Sequence, residues 1–160
     1  MLRDGGPPAA QPGTDGSVSP AGDTGLDDLV GDSRAVGLPV TLAEDGDPGV
    51  VAPTVRRTLF RVVQESLTNV HKHAPGSSVT VVVHYGPDQV RATVANTRPS
   101  RPPDPDLSAA GGGSGLDGLR HRVEVVGGTL TAESTSDGGF AVRATLPVFV
   151  PTVVRTAARR

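Results

Sequence analysis

The stretch from Pro53 to His73 constrains the fold more than any other part of this 160-residue chain. Val55, Leu59, Val62, Val63, Leu67 and Val70 recur at the 3.6-residue period, which puts them on one helical face. Pro53 suits the first turn of a helix, and Pro75-Gly76 stops it. The helix therefore has one apolar face to bury and one polar face that carries Glu65, Asn69, Lys72 and His73. Glu65 and Asn69 are four residues apart, so they project together, with Lys72 and His73 a turn further on. Spacing alone reads first as a solvent-facing stripe. The same acid, amide and bases could hold a magnesium ion and phosphate oxygens, because magnesium prefers oxygen ligands and shares them with substrate phosphates.

The segments around this helix predict the second layer. Leu26-Asp27-Asp28-Leu29-Val30 has helical spacing, ending near Gly37. Val40-Thr41-Leu42 alternates like a short strand and is expected to give way to an acidic turn, Glu44-Asp45-Gly46-Asp47-Pro48. Val79–Tyr85 and Gln89–Ala95 are rich in β-branched residues and flank Gly86-Pro87-Asp88, a strand–turn–strand pattern. Residues 97–115 carry no periodicity and read as a structureless lid, proline-rich at first and then the run Gly111-Gly112-Gly113-Ser114-Gly115. Leu116–Val126 predicts another helix, ended by Gly127-Gly128, and Thr129–Ser134 with Phe140–Leu146 a hairpin around Asp137-Gly138-Gly139. Antiparallel pairs with helices on one face imply an α+β two-layer sandwich over residues 24–148. Residues 1–23, rich in Gly, Pro, Ser and Asp, read as a flexible linker, and 149–160 as a basic tail.

Several functions are disfavoured by composition. There are no cysteines, hence no disulfides, thiolate nucleophiles or cysteine zinc sites. No apolar run is long enough to span a bilayer and no signal-peptide pattern opens the chain, so the expected compartment is the cytoplasm. A net charge of −2, one Tyr, three Phe and no Trp argue against nucleic-acid binding. His71, His73, His84 and His121 are scattered, and no P-loop, H-E-x-x-H or G-x-S-x-G motif is present. Gly113-Ser-Gly115-Leu-Asp-Gly118 matches G-x-G-x-x-G, but it follows a loop rather than a strand of a βαβ unit, so a dinucleotide site is rejected. Backbone N–H groups of the glycine run, just before a helix, could instead face an anion.

Two of these segments, in this order and spacing, resemble one family. Arg61-Val-Val-Gln-Glu65-Ser-Leu-Thr-Asn69-Val-His-Lys72-His73-Ala74 resembles the N box of sensor histidine kinases that partner LuxR/NarL-type response regulators. Gly113-Ser-Gly115-Leu-Asp-Gly118-Leu-Arg120-His-Arg122-Val resembles their second glycine box, and Gly127-Gly128 and Gly138-Gly139-Phe-Ala-Val fit the family's pattern C-terminal to that box. The resemblance covers about residues 24–147. It implies a Bergerat-type ATP-binding sandwich, with a mixed sheet covered on one face by helices, as in gyrase, Hsp90 and MutL. It implies Asn69 as the magnesium ligand, Glu65 as general base, Lys72 and His73 near the phosphates, and Gly113, Gly115 and Leu116 in the part that closes over ATP. Phosphoryl transfer is mainly positioning and charge stabilisation, which such residues can supply.

Three departures from the family pattern stand out. Asn96 stands where an aspartate usually accepts the adenine amino group; losing charge assistance there costs about 1 kcal/mol of binding. The adjacent glycines of that box are missing. No histidine has the context of a phosphoacceptor. Met1-Leu2-Arg3-Asp4, before a Pro/Ala/Gly run, resembles the end of the family's dimerisation hairpin, so the expected acceptor lies on a hairpin outside this sequence. The alternatives are a nonenzymatic nucleotide-binding or interaction remnant of a kinase and an anti-sigma-factor-like serine kinase; the glycine-box match disfavours the latter.

Overall fold

Helix α2, Pro53–His73, spans the 21 residues expected, and Val55, Leu59, Val62, Val63, Leu67 and Val70 are all buried. In the structure, a computed structural model, residues 25–109 and 114–150 are described. The expected linker over 1–23, most of the basic tail and Gly113 lie outside the described residues. The other elements are α1 Leu26–Ala35, β1 Val40–Gly46, β2 Val79–Tyr85, β3 Gln89–Asn96, α3 Pro105–Ala109, α4 Ser114–Val125, β4 Thr129–Ser134 and β5 Phe140–Pro147. A 3-10 turn, Pro48–Val50, links β1 to α2.

The strands form one mixed sheet in the order β1-β2-β3-β5-β4. Both predicted hairpins, β2/β3 and β4/β5, are antiparallel. They are joined by an antiparallel β3–β5 pairing, which leaves β4 at one edge. At the other edge β1 runs parallel to β2. A parallel neighbour needs a long crossover connection, and α2 is that connection. Burial alternates strictly along β2: Val79, Val81, Val83 and Tyr85 face the helices, while Thr80, Val82 and His84 face solvent. Against the inner face pack the α2 stripe, Leu29 and Val30 of α1, and Leu119 and Val123 of α4. This is the α+β two-layer arrangement expected.

Two local expectations are corrected. Glu44, Asp45 and Gly46 are strand residues, not a turn: β1 stays in register with β2 as far as Gly46–Tyr85. Its charged side chains find partners on β2, since Tyr85 Oη donates to Glu44 Oε1 at 2.6 Å and His84 Nδ1 lies 2.8 Å from Asp45 Oδ2. An edge strand buries little beyond its first residue, so its polarity resembles that of a turn. Residues 97–115 are not wholly structureless either. Pro105 starts the short α3, and Asp104 Oδ1 accepts a hydrogen bond from the Asp106 N–H at 3.0 Å, an N-cap pattern. Five residues are too few to show a period.

Candidate functional site

The polar face of α2 becomes a wall of a cavity at its C-terminal half. Glu65, Asn69, Lys72 and His73 follow one another at i, i+4, i+7 and i+8, and all four line a space of about 460 Å³ between α2, the inner ends of β3 and β5, the β4–β5 turn and the start of α4. Asn96 of β3 and Gly115 and Leu116 of α4 line the same space. Of the eight residues singled out from sequence, Gly113 alone lies outside the described residues; the other seven converge here.

Asn96 is 8% exposed, and its Nδ2 donates to the Thr97 carbonyl at 2.8 Å. With the amide nitrogen so engaged, Oδ1 is the atom left to accept a hydrogen bond. The chain leaving β3 is pinned: Thr97 N–H donates to Ser78 O at 3.0 Å, Ser78 N–H to Thr97 Oγ1 at 3.0 Å, and Ser100 N–H to Pro75 O at 3.2 Å. Those bonds tie the end of β3 to the end of α2 and hold Pro99 against the cavity.

Two glycines matter for steric reasons. A Cβ at position 115 would lie 2.6 Å from Glu65 Oε1, so α4 starts directly against that carboxylate. A Cβ at position 139 would overlap the Asn96 carbonyl oxygen, so the β4–β5 turn can approach β3 only with glycine there. Asp137 holds this turn: its carboxylate accepts hydrogen bonds from Thr135 Oγ1 and, at 3.4 Å, from the Gly139 N–H. The Thr135 bond first, and then the Gly139 bond, depress the Asp137 carboxyl below its usual range. Gly118, the last glycine of the G-x-G-x-x-G match, has open space around it on the exposed side of α4.

The sequence reading did not assign several lining residues. Ser66 sits beside Glu65 and donates to the Val62 carbonyl at 2.7 Å. Val94, Phe140 and Val142 form the apolar floor, and Ser134, Gly138 and Gly139 close one end. Strand alternation was the available signal, because Val94 with Asn96 and Phe140 with Val142 are two apart. What alternation could not reveal is that β3 pairs with β5.

Among the described residues no group of three or more His, Asp or Glu side chains could cage a metal ion. The donor set, Asn69 with Glu65 one turn away, instead fits a hard cation that completes its shell with water and ligand oxygens, as magnesium does on phosphates.

Residues 54–149 match the family model described as histidine kinase-, DNA gyrase B- and HSP90-like ATPase. The chain belongs to that ATPase family. The signal transduction histidine-protein kinase/phosphatase UhpB of Salmonella typhimurium is 36% identical over 101 residues, which are 63% of this chain and 19% of that protein. The sensor histidine kinase LiaS of Bacillus subtilis is 27% identical over 125 residues, 78% of this chain and 34% of that protein. This ATPase-family chain thus spans only about a fifth to a third of the length of the curated relatives it matches. Among solved structures, the histidine kinase domain of the Erythrobacter litoralis EL346 blue-light activated histidine kinase superposes with a TM-score of 0.57 at 21% identity, covering 76% of this chain and 57% of that one. That likeness supports the fold. No described helix of the family member is long and apolar enough to cross a membrane.

Proposed function

We propose that this chain is the ATP–magnesium-binding catalytic domain of a two-component sensor histidine kinase, which transfers the γ-phosphoryl group of ATP to a histidine on a dimerisation hairpin. A LuxR/NarL-type response regulator then stands one step downstream, and the cytoplasm is the working compartment. The observation that carries the reading is the convergence of Glu65, Asn69, Lys72, His73, Asn96, Gly115 and Leu116 on one cavity of nucleotide size. Membership of the ATPase family supports it.

The roles are those the family resemblance implies, and the gathering of these residues around one cavity supports them. The adenine end lies at Asn96, whose Oδ1 accepts from the exocyclic amine. His73 and Lys72 would lie along the triphosphate, and the Asn69 amide oxygen would hold the magnesium ion. Bound there, magnesium would neutralise phosphate charge and help align the γ-phosphoryl group. Glu65 receives the proton of the acceptor imidazole as its nitrogen bonds to phosphorus; the bond from phosphorus to the bridging oxygen breaks and ADP leaves. Gly115 places the start of α4, with its backbone N–H groups, beside the same carboxylate.

Binding of a fluorescent ATP analogue should require magnesium and fall about tenfold or more in Asn69→Ala. Equal binding by the two proteins would sink the assignment of Asn69. With a supplied cognate hairpin, labelled phosphate should pass from ATP to its histidine, and Glu65→Gln should slow transfer by roughly a hundredfold while binding persists. Unchanged transfer would remove Glu65 from its role. Magnesium-dependent binding without any transfer would favour the nonenzymatic reading.

A further inference from the structure

Phe140, the cavity's one phenyl ring, has been given no role, although it lies on the inner face of the β3–β5 pair beside Asn96. Asn96 is in direct register with Phe140, and the next inward pair is Val94 with Val142. All four residues line the cavity. Directly opposed residues on antiparallel strands have Cβ atoms about 4.5–5.5 Å apart, so the Phe140 ring and the Asn96 amide are next neighbours on the cavity floor. Phe140 is half-buried, packed on the core from one side and open to the cavity on the other.

The acceptor beside it is uncharged. Asn96 Nδ2 is engaged by the Thr97 carbonyl, and the segment carrying that carbonyl is pinned to Ser78. Flipping the amide would set Oδ1 against the Thr97 carbonyl and break the Asn96–Thr97 bond. In its present orientation the amide accepts from an amino group and sets oxygen against oxygen when a carbonyl stands in the same place. A neutral acceptor binds less strongly than a carboxylate, so a ligand base held here must draw more of its affinity from apolar contact.

We propose that Phe140 is the base-packing residue of this site: its ring packs on the nucleobase, while the neighbouring Asn96 Oδ1 accepts one hydrogen bond and so favours a 6-aminopurine over a 6-oxopurine. The inference rests on the nucleotide-binding reading and deepens its adenine end. Phenyl and purine rings pack by offset or edge contact, and the gain is independent of charge.

The test compares ATP, GTP and inorganic tripolyphosphate, each with magnesium, by calorimetry on the full chain. Phe140→Ala should weaken ATP roughly tenfold and leave tripolyphosphate within about twofold. Phe140→Leu, which keeps apolar volume and guards against misfolding, should lose about threefold for ATP alone. Asn96→Asp should raise the ratio of ATP to GTP affinity. If Phe140→Ala leaves ATP affinity intact, or weakens ATP and tripolyphosphate alike, the base contact is wrong. A wild-type chain that binds tripolyphosphate as tightly as ATP would also overturn it while leaving the phosphate end standing. Binding of none of the three would overturn the nucleotide reading itself, and this inference with it.

Discussion

Gly115 and Glu65 show how much one missing side chain can do. The α4 glycine packs where a Cβ would come within 2.6 Å of the Glu65 carboxylate oxygen, and the obstacle is the far end of a flexible side chain. Gly115→Ala should therefore leave the fold intact. Alanine favours a helix over glycine by up to about 1 kcal/mol, so the melting temperature should hold or rise. Glu65, however, must swing off its position. We expect transfer to a supplied hairpin to fall about tenfold while the protein is as stable as before or more so. Thermal melts alongside labelled-phosphate transfer would check this, and undiminished transfer would show that the position of Glu65 does not matter. Asn96 teaches a complementary lesson. Its identity was legible as a departure from an aspartate, but the orientation of its amide was not, because that depends on the backbone carbonyl of Thr97.

At the scale of elements, α2 was readable from end to end because 21 residues span several helical periods and both ends are marked, by Pro53 and by Pro75-Gly76. Its core stripe and its cavity-lining polar face come from a single periodicity. β1 was misread in its second half because an edge strand with charged side chains lacks the alternation of a half-buried one. The same contact that corrects it carries a pH prediction. Burial, and then the hydrogen bond to Glu44, raise the Tyr85 phenol well above its usual value near 10. Below about pH 10 the phenol is neutral in both states and its contribution is complete. As pH rises further, the unfolded tyrosine ionises before the folded one, so stability falls. Tyr85 is the one tyrosine of the chain. Tyr85→Phe should lower stability by about 1 kcal/mol at neutral pH through the lost hydrogen bond and flatten the decline above pH 10. Urea unfolding of both proteins at neutral and alkaline pH measures this; parallel declines would remove Tyr85 as the cause.

At the scale of the whole molecule, the cavity exists because α2, the β3–β5 pair and α4 meet at one end of the sheet. Lys72, the chain's single lysine, sits in that wall. Amine-directed acylation and peptide mapping therefore report on the site itself. Magnesium and ATP should slow modification of Lys72 severalfold and leave the α-amino group unaffected, whereas equal rates at Lys72 with and without nucleotide would put the triphosphate elsewhere. The sequence by itself determined the local elements: the α2 period, the two hairpins, the glycine run before α4, and the i, i+4 placement of Glu65 and Asn69. Each of these depends on neighbours within a few residues. Only the tertiary structure decided the parallel docking of β1, the pairing of β3 with β5 and the start of α4 against Glu65. Such contacts depend on register and packing between segments far apart in the chain, and periodicity within one segment carries no record of its partner. For that reason the α2 half of the site and Asn96 could be read in advance, while the apolar floor of Val94, Phe140 and Val142 appeared only when the two strands were side by side.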